Sequence, residues 1–313
     1  METGSVLVIG AGIAGITSAV ELARKGISVH LVDKQATMGG QVARFGCKAT
    51  DRCSKCSACV LTEKIAELKD LPSVSFHPSS EVKEIKGDSG KFRITILQRP
   101  QPIALDSCIA CGLCAQECPE QCITSTLPRT FPYGYLIDQK RCRNYTGQQC
   151  HRCVEVCPTE AISFDRSSRQ VELQVAAIVV ATGFEPSNLR NKPQYGYGRF
   201  PNVVTGLEVE EQLGRKGRIE KPSDGQIPQD VAFIQCVGSR DSQLESGYCS
   251  QVCCAYAMRI SRLLKYQSPQ TNIAIHYMDI QKFGKGFDQF YAQSKGEIRF
   301  VRGLPAEVNE SPD

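Results

Sequence analysis

Residues 108–119 read CIACGLCAQECP, and residues 142–158 read CRNYTGQQCHRCVEVCP. Both stretches end in Cys-x3-Cys-Pro, and cysteines spaced by two, two and three residues can wrap one cubic iron-sulfur cluster. In two-cluster ferredoxins the cysteine before the proline ligates the neighbouring cluster instead of its own. The two stretches therefore predict a pair of [4Fe-4S] clusters that exchange one ligand each.

The predicted ligands form two sets. The first set is Cys108, Cys111, Cys114 and Cys157, and the second set is Cys142, Cys150, Cys153 and Cys118. Seven residues lie between Cys142 and Cys150 where two are usual, which predicts an enlarged loop that alters the solvent access and potential of the second cluster. Paired Cys-x2-Cys also suits structural zinc, but the doubled Cys-x3-Cys-Pro favours iron and sulfide.

The composition is typical of an intracellular redox protein. With 313 residues the chain is long enough for two or three domains, and 17 of its residues are cysteine. In a reducing cytoplasm so many closely spaced cysteines indicate metal ligands or redox thiols. The sequence shows no signal peptide and no apolar run of ~18 residues, and its net charge of +4 is spread along the chain. We therefore expect a cytoplasmic protein without a nucleic-acid or membrane surface.

The amino-terminal region carries a dinucleotide fingerprint. An apolar run leads into Gly10-x-Gly12-x-x-Gly15, a helical pattern follows, and a second apolar run ends at Asp33. This context aims a helix N-terminus at a pyrophosphate and an acidic side chain at a ribose hydroxyl. Asp33 favours an adenosine diphosphate with a free ribose hydroxyl, and Lys34 beside it leaves a phosphorylated ribose only as a minor alternative. The competing interpretation is a glycine-rich turn that only packs a helix onto a sheet.

Two further turns resemble those of flavoproteins of the thioredoxin-reductase type. In such proteins a Gly-Gly turn lets the backbone approach the flavin, and Gly39-Gly40-Gln41 is the corresponding turn here. A strand ending in Ala-Thr-Gly closes their FAD domain, and Thr182-Gly183 ends such a strand here. The resemblance implies FAD at the first site, with the ferredoxin unit inserted within the FAD domain.

A third group of cysteines lies in a polar, basic segment and reads Cys47-x5-Cys53-x2-Cys56-x2-Cys59. Three thiols at intervals of three residues could ligate one cluster, with Cys47 as the fourth ligand. A flavin-linked dithiol and a structural zinc site are the competing interpretations. We favour a cluster.

The last third of the chain has a strand typical of a nucleotide-binding domain but lacks the glycine turn that should follow it. In place of that turn stands Cys236-x12-Cys249-x3-Cys253-Cys254, which leads into a helix. A helix N-terminus and a metal both favour thiolates, so the pattern favours another cluster at the vacated nicotinamide site. The alternative is a buried thiol pair with two unrelated cysteines.

These features predict an α/β fold of three parts. A Rossmann-type FAD domain of thioredoxin-reductase type covers residues 1–102 and 166–220, and an inserted two-cluster ferredoxin domain covers residues 103–165. A partial, degenerate nucleotide-binding domain covers residues 221–313 and carries the Cys236 group. Only Cys122 lies outside the four cysteine groups, and we expect it to be an inert core thiol.

Several stretches resemble the HdrA family, whose members belong to heterodisulfide reductases. They are YGYGRFPNVVT at 195–205, PSDG at 222–225, IQCVGSR at 234–240 and FGKG at 283–286, together with the Cys-x12-Cys-x3-Cys-Cys group. The resemblance implies FAD and several [4Fe-4S] clusters in a cytosolic multi-subunit complex of an anaerobe. It also implies that the flavin splits or merges electron pairs, by bifurcation in some complexes. The final acceptor would be a heterodisulfide reductase or an aromatic acyl-CoA (benzoyl-CoA) reductase.

The same resemblance implies site residues and partners. It places Glu208 and Arg259 near the flavin, with Arg259 where a lysine is expected, and arginine stays charged whereas lysine can shift its pKa. Because no Gly-Asp strand returns to the flavin fold before Asp313, we expect a partner chain to complete the FAD pocket. Ferredoxin and hydrogenase- or dehydrogenase-type proteins are the expected electron partners.

Two other functions compete with this one. A stand-alone NAD(P)H-dependent flavoprotein disulfide reductase needs a second nucleotide fingerprint, which the residues after Gln235 do not provide. A non-enzymatic scaffold would hold the clusters and carry a vestigial flavin site.

Overall fold

The chain folds into two units of helices and strands. The computed structural model describes residues 4–51, 53, 56–281 and 284–311. It divides into one unit of residues 1–44 and 58–184 and a second unit of residues 45–57 and 185–313. The strands of the first unit are β1 (Val6–Ile9), β2 (Val29–Val32), β3 (Val74–His77), β4 (Ser80–Lys86), β5 (Phe92–Gln98), β6 (Ile123–Ser125), β7 (Tyr135–Ile137), β8 (Arg169–Val175) and β9 (Ala177–Val180). Its helices are α1 (Ile13–Arg24), α2 (Val60–Lys69), α3 (Leu113–Gln116) and α4 (Arg152–Glu155), with 3-10 turns at Gly40–Arg44 and Arg143–Tyr145.

Four parallel strands make the nucleotide-binding sheet, in the order β3-β2-β1-β9. Parallel strands that are covered by helices bury their side chains, and Val8 of β1 and Leu31 of β2 are fully buried. Ile16 of α1 and Leu61 of α2 pack into the same core. The predicted strand, glycine turn, helix and second strand are therefore confirmed.

An antiparallel sheet, β4-β5-β8, follows the nucleotide-binding sheet in the chain. Strands β4 and β5 form a hairpin, and β8, which was not predicted, pairs with β5. Leu173 and Val175 of β8 are buried, whereas the intervening Glu172 and Gln174 are exposed. This alternation is the pattern of a strand with one solvated face, and the polar residues between its apolar ones concealed it.

The ferredoxin insert leaves this sheet after β5 and returns to it at β8. Gln98 and Arg169 pair at the root of the insert, and Arg169 Nε donates a hydrogen bond to Gln98 Oε1 at 2.7 Å. Inside the insert, β6 pairs with β7, and Ile103 bridges to Ile162. Its core contains mainly cysteine and isoleucine side chains, so bound clusters would supply much of its cohesion.

A loop of the insert also packs on the nucleotide-binding sheet. Phe131 and Met38 exchange two backbone hydrogen bonds of 2.7 and 3.2 Å. The side chains of Leu127 and Phe131 contact the core of that sheet, and Lys69 Nζ lies 4.0 Å from the centre of the Phe131 ring. The insert is therefore attached both through its paired ends and through this loop.

The second unit is built on a parallel sheet in the order β10-β11-β12. Its elements are α5 (Gly206–Lys216), β10 (Asp230–Ile234), α6 (Cys253–Gln267), β11 (Asn272–Tyr277), α7 (Phe287–Ser294) and β12 (Arg299–Arg302). Met258 and Ile260 of α6 and Ile275 of β11 are fully buried in its core. In the part of the chain that the structure describes, no helix has both the length and the apolar character to span a bilayer.

Residues 185–220 pack in the second unit, although they are predicted above as part of the FAD domain. The reason is the apolar face of α5, since Leu213 and the following Ile219 lie in the core around α6. The predicted domain boundaries and the two observed units thus divide this stretch differently.

The described residues between 45 and 57 also belong to the second unit, where a buried ion pair anchors Lys48. Lys48 Nζ lies 2.5 Å from Glu210 Oε1, and the two side chains are 3% and 0% exposed. Gly46 N donates to Glu210 Oε2 at 2.9 Å, and the Lys48 ammonium lies 5.2 Å from the centre of the Phe45 ring. Buried charges need such partners, so this pair fixes the segment on α5.

Candidate cofactor sites

The glycine turn after β1 has two glycines that the fold itself requires. Gly10 has a φ of +107°, and a Cβ there would lie 2.3 Å from the Ala181 carbonyl oxygen. A Cβ at Gly15 would lie 1.8 Å from the Gly10 carbonyl oxygen. Side chains at either position would push α1 and β9 away from β1.

Gly12 is different because the protein leaves space beside it. The nearest heavy atom to a Cβ built there is Gly40 Cα, at 3.9 Å. Gly12 precedes the first turn of α1, which contains no acidic residue. The amide groups at this helix end can therefore face an anion, as in dinucleotide-binding folds.

Asp33 lies directly after β2 and is hydrogen-bonded to the same turn. Its Oδ2 accepts from Ala11 N at 2.5 Å, and its Oδ1 accepts from Gln35 N at 2.7 Å. A carboxylate oxygen has more than one acceptor site, so a ribose hydroxyl could share it. Lys34, beside it, is exposed.

The second glycine turn packs on the first. Gly39 N donates to Ala11 O at 2.8 Å, and a Cβ at Gly40 would lie 2.8 Å from Gly12 Cα. The buried Gln41 Oε1 has no hydrogen-bond partner among the described residues. An unsatisfied buried acceptor beside a glycine cradle fits a bound polar ligand.

All ten predicted cofactor-binding residues belong to the first unit, near the carboxyl ends of parallel strands. They are Gly10, Gly12, Gly15, Asp33, Lys34, Gly39, Gly40, Gln41, Thr182 and Gly183, with the last two just after β9. Ligands of open α/β sheets bind at this edge. The residues present therefore fit a dinucleotide.

We expect Gly12→Ala to weaken dinucleotide binding on the order of 100-fold, equivalent to ~2.7 kcal/mol, without unfolding the protein. Gly12 has a φ of −80°, which alanine adopts readily. The added methyl group meets empty space in the protein but occupies the approach to the helix N-terminus. Flavin titration and thermal melting measure the two effects.

Gly15→Ala serves as the matched control for this prediction. Its Cβ clashes with backbone, so this variant should lose thermal stability together with flavin. Equal flavin affinities of Gly12→Ala and the wild type would contradict the pyrophosphate assignment.

Two cavities in the ferredoxin insert are lined by cysteine thiols, and each measures about 320 Å³ including its open mouth. The first is lined by Cys108, Cys111, Cys114 and Cys157. The second is lined by Cys118, Cys142, Cys150 and Cys153, with Cys122 as a further lining residue. The structure thus brings each predicted set together around one cavity, including the exchanged ligand.

The thiols of each set act on one another electrostatically. Burial, followed by the nearby Cys108, Cys111 and Cys157 thiols, raises the pKa of Cys114 to about 11. Burial and the nearby Cys142 and Cys150 raise the pKa of Cys153 to about 11 as well. A bound metal would lower these thiol pKa values again, since coordination stabilises thiolates.

The spacing of these thiols differs from that around a single ion. Four sulfurs on one zinc at ~2.3 Å would converge on a single point. Within the described residues, no group of three or more His, Cys, Asp or Glu side chains converges in this way. The fit to clusters rests on the thiol-lined cavities.

The predicted cysteines of the second unit meet near the start of α6. Cys236 follows β10 with a φ of +60°, and Gln251 N donates to Cys249 Sγ at 3.3 Å. A hydrogen bond with Cys254 lowers the pKa of Cys253 to about 6 and raises the pKa of Cys254. This set lies at a helix N-terminus, which favours thiolate.

Arg240 is a charged neighbour of this set that was not assigned a role from the sequence. Its guanidinium makes a two-point ion pair with Asp279, at 2.6 and 3.0 Å. It also hydrogen-bonds the Cys236 thiol, although burial raises the pKa of Cys236 overall. Arg240 belongs to the motif IQCVGSR. The contact of Arg240 with Cys236 could not be predicted from that motif, because it depends on the left-handed backbone conformation of both residues.

The cysteines at Cys47, Cys53 and Cys59 are exposed, and Cys56 is partly buried. The adjoining residues 52, 54 and 55 lie outside the described part of the chain. A cluster at these four cysteines stays a prediction.

Glu208 and Arg259 have structural contacts in the second unit. Glu208 and Thr205 form a capping box at the start of α5, in which Thr205 N donates to Glu208 Oε2 at 2.6 Å. Tyr197 also donates to Glu208 at 3.2 Å, and the Arg259 guanidinium lies 5.7 Å from the centre of the Phe290 ring. A role beside a flavin stays a prediction for both residues.

Comparisons with known proteins support a Rossmann-type domain and a two-cluster ferredoxin domain in this chain. Residues 8–62 match a family model described as an NAD(P)-binding Rossmann-like domain, and residues 107–161 match a 4Fe-4S dicluster domain. The predicted Rossmann-type domain and dicluster ferredoxin domain are therefore confirmed. Thioredoxin reductase from Lactococcus lactis is similar in structure, with a TM-score of 0.46 and 14% identity over 98% of this chain and 67% of that chain.

Three curated relatives are HdrA proteins. The HdrA protein of the H(2):CoB-CoM heterodisulfide,ferredoxin reductase of Methanothermobacter thermautotrophicus is 37% identical over 98% of this chain and 48% of that protein. Its counterpart in the ferredoxin:CoB-CoM heterodisulfide reductase of Methanosarcina mazei is 35% identical over 99% and 40%. The iron-sulfur HdrA protein of the CoB--CoM heterodisulfide reductase of Methanocaldococcus jannaschii is 35% identical over 99% and 49%. The chain thus spans about half the length of these relatives, or less.

Proposed function

Because the chain belongs to the HdrA family of heterodisulfide reductases, we propose that it serves flavin- and iron-sulfur-based electron transfer within a multi-subunit oxidoreductase. The observation that carries the proposal is the presence, in one unit, of a dinucleotide cradle and two cavities lined by the predicted cysteine sets. When bound, FAD would supply exchange between electron pairs and single electrons, and the clusters would supply one-electron storage.

The residues of the chain have defined roles in this proposal. The amide groups before α1 and the carboxylate of Asp33 bind and orient the dinucleotide. Gly12 and Gly40 keep side chains out of the cradle. Eight of the nine cysteines of the insert hold two clusters, and the Cys236 group holds a third, with Arg240 stabilising its negative charge.

The proposal extends to partners and location. The relatives are named for reductases of a CoB-CoM heterodisulfide and, in two cases, for ferredoxin. We propose that this chain likewise transfers electrons between ferredoxin- or hydrogenase-type partners and a reductase that acts on a heterodisulfide or an aromatic acyl-CoA. The cysteine content suits the cytoplasm.

Anaerobic reconstitution of the chain with iron, sulfide and FAD tests the proposal. The insert should bind about eight iron atoms, and the Cys236 group about four more. On stepwise chemical reduction, the absorbance of FAD and the EPR signals of the clusters should change within one titration. Zinc instead of iron and sulfide in the anaerobically purified chain, before reconstitution, would contradict it.

Two other outcomes would replace the proposal with a competing function. Rapid reduction of FAD by NADH in the chain alone would indicate a stand-alone flavoprotein reductase. Iron-loaded chain that binds no FAD, alone or with its co-purifying partners, would indicate a scaffold for clusters.

A further inference from the structure

The two halves of the ferredoxin insert repeat one backbone conformation after their exchanged ligands. The repeated hexapeptides are Cys118-Pro-Glu-Gln-Cys122-Ile and Cys157-Pro-Thr-Glu-Ala161-Ile. The fourth residues, Gln121 and Glu160, share a left-handed φ, of +47° and +52°. Cys122 therefore occupies, in its half, the position that Ala161 occupies in the other.

Cys122 lies against an exchanged ligand of the second cavity. Its side chain is 2% exposed, and its Sγ lies 3.4 Å from Cys118 Sγ. It lines the second cavity, and Ala161 lines the first. The expected inert core thiol is thus in contact with a predicted cluster ligand, whereas its counterpart presents a methyl group.

The other half carries a different side-chain donor. Cys157 Sγ lies 3.8 Å from the hydroxyl of Thr159, and Glu120 stands at the position equivalent to Thr159. Backbone N–H groups reach the exchanged sulfur in both halves. The side-chain donor is therefore a thiol for Cys118 and a hydroxyl for Cys157.

We propose that Cys122 is a positioning residue that tunes the second cluster by donating its S–H to the sulfur of Cys118. A hydrogen bond to a ligand sulfur withdraws negative charge from the cluster, which favours the reduced form. Cys118, Cys142, Cys150 and Cys153 complete the ligand set, so Cys122 is left as an unligated thiol. The inference rests on the clusters of the proposed function.

EPR-monitored redox titration of the anaerobically reconstituted chain tests this role. Cys122→Ala copies the alanine of the other half, so it should keep the iron content. At a fixed potential, the ratio of reduced to oxidised second cluster should fall about threefold, the size expected for one weak hydrogen bond. The first cluster should not change.

Three further variants complete the design. Cys122→Ser keeps a donor and should restore much of the ratio, whereas Cys122→Val fills a similar space without a donor and should not. Thr159→Val should move only the other cluster and so identify which signal belongs to which half. If Cys122→Ala fails to fold, the serine and valine variants still separate donation from packing, because a purely packing role predicts equal potentials for the two.

Three results would overturn the inference. They are unchanged potentials in Cys122→Ala, equal shifts of both clusters, and loss of four iron atoms, which would make Cys122 a ligand. A wild-type chain without iron-sulfur clusters would instead refute the proposed function, so the two failures are distinguishable.

Discussion

The double variant Cys108→Ala/Cys157→Ala is expected to lose one iron-sulfur cluster, whereas Cys142→Ala/Cys157→Ala is expected to lose two. Cys157 lies in the second half of the insert but lines the cavity of the first set. In the first double variant both substitutions therefore affect the same cluster, and in the second they affect different clusters. Iron should fall by about four atoms in the first variant and about eight in the second.

Iron and sulfide analysis, with EPR of the reduced chain, measures this difference. Cys122→Ala is the matched control, because it removes a thiol that lines a cavity but should leave the iron content unchanged. If the ligands were not exchanged between halves, the two double variants would give the opposite result. The test thus distinguishes ligands exchanged between the two halves from ligands that stay within their own half. It requires no measurement of enzyme activity.

Substituting Lys48 by methionine is expected to destabilise the second unit by ~3–5 kcal/mol, because it leaves an unpaired charge on a buried carboxylate. Glu210 is fully buried, and its partner at 2.5 Å is Lys48. The double variant Lys48→Met/Glu210→Leu removes both charges, so it should recover most of the lost stability. Denaturant unfolding of the wild type, the single variant and the double variant measures the loss and the recovery.

An exposed ion pair on the same helix provides the control. Arg215 Nε lies 3.2 Å from Glu211 Oε1, and the two side chains are 38% and 35% exposed. Arg215→Ala should change the free energy of unfolding by less than ~0.5 kcal/mol. A single Lys48 variant as stable as the wild type would show that the pair does not hold residues 45–57 in place.

Much of the first unit was predictable because its signals are local. The glycine turn, its flanking strands and the ferredoxin spacing each occupy a short stretch, and the repeated Cys-x3-Cys-Pro gives the ligand exchange directly. The hairpin of β4 and β5 was predictable for the same reason. Strand β8 was missed, since Glu172 and Gln174 separate its apolar residues.

The features that escaped prediction depend on contacts between distant residues. Lys48 and Glu210 are far apart in sequence, and nothing near Lys48 indicates that Gly46 and Lys48 contact α5. Cys122 was assigned to the core because it falls outside the cysteine spacings. Alignment of the two hexapeptides would have found its position, since Ala161 is its counterpart.

The attachment of the insert at both its paired ends and its Phe131 loop limits how it can move. Many electron carriers work by swinging, so that a mobile module visits donor and acceptor in turn. The two attachments of the insert restrict such a movement. If the unit transfers electrons as proposed, they would tunnel between clusters at fixed distances, and solvent viscosity should have little influence on the transfer rate.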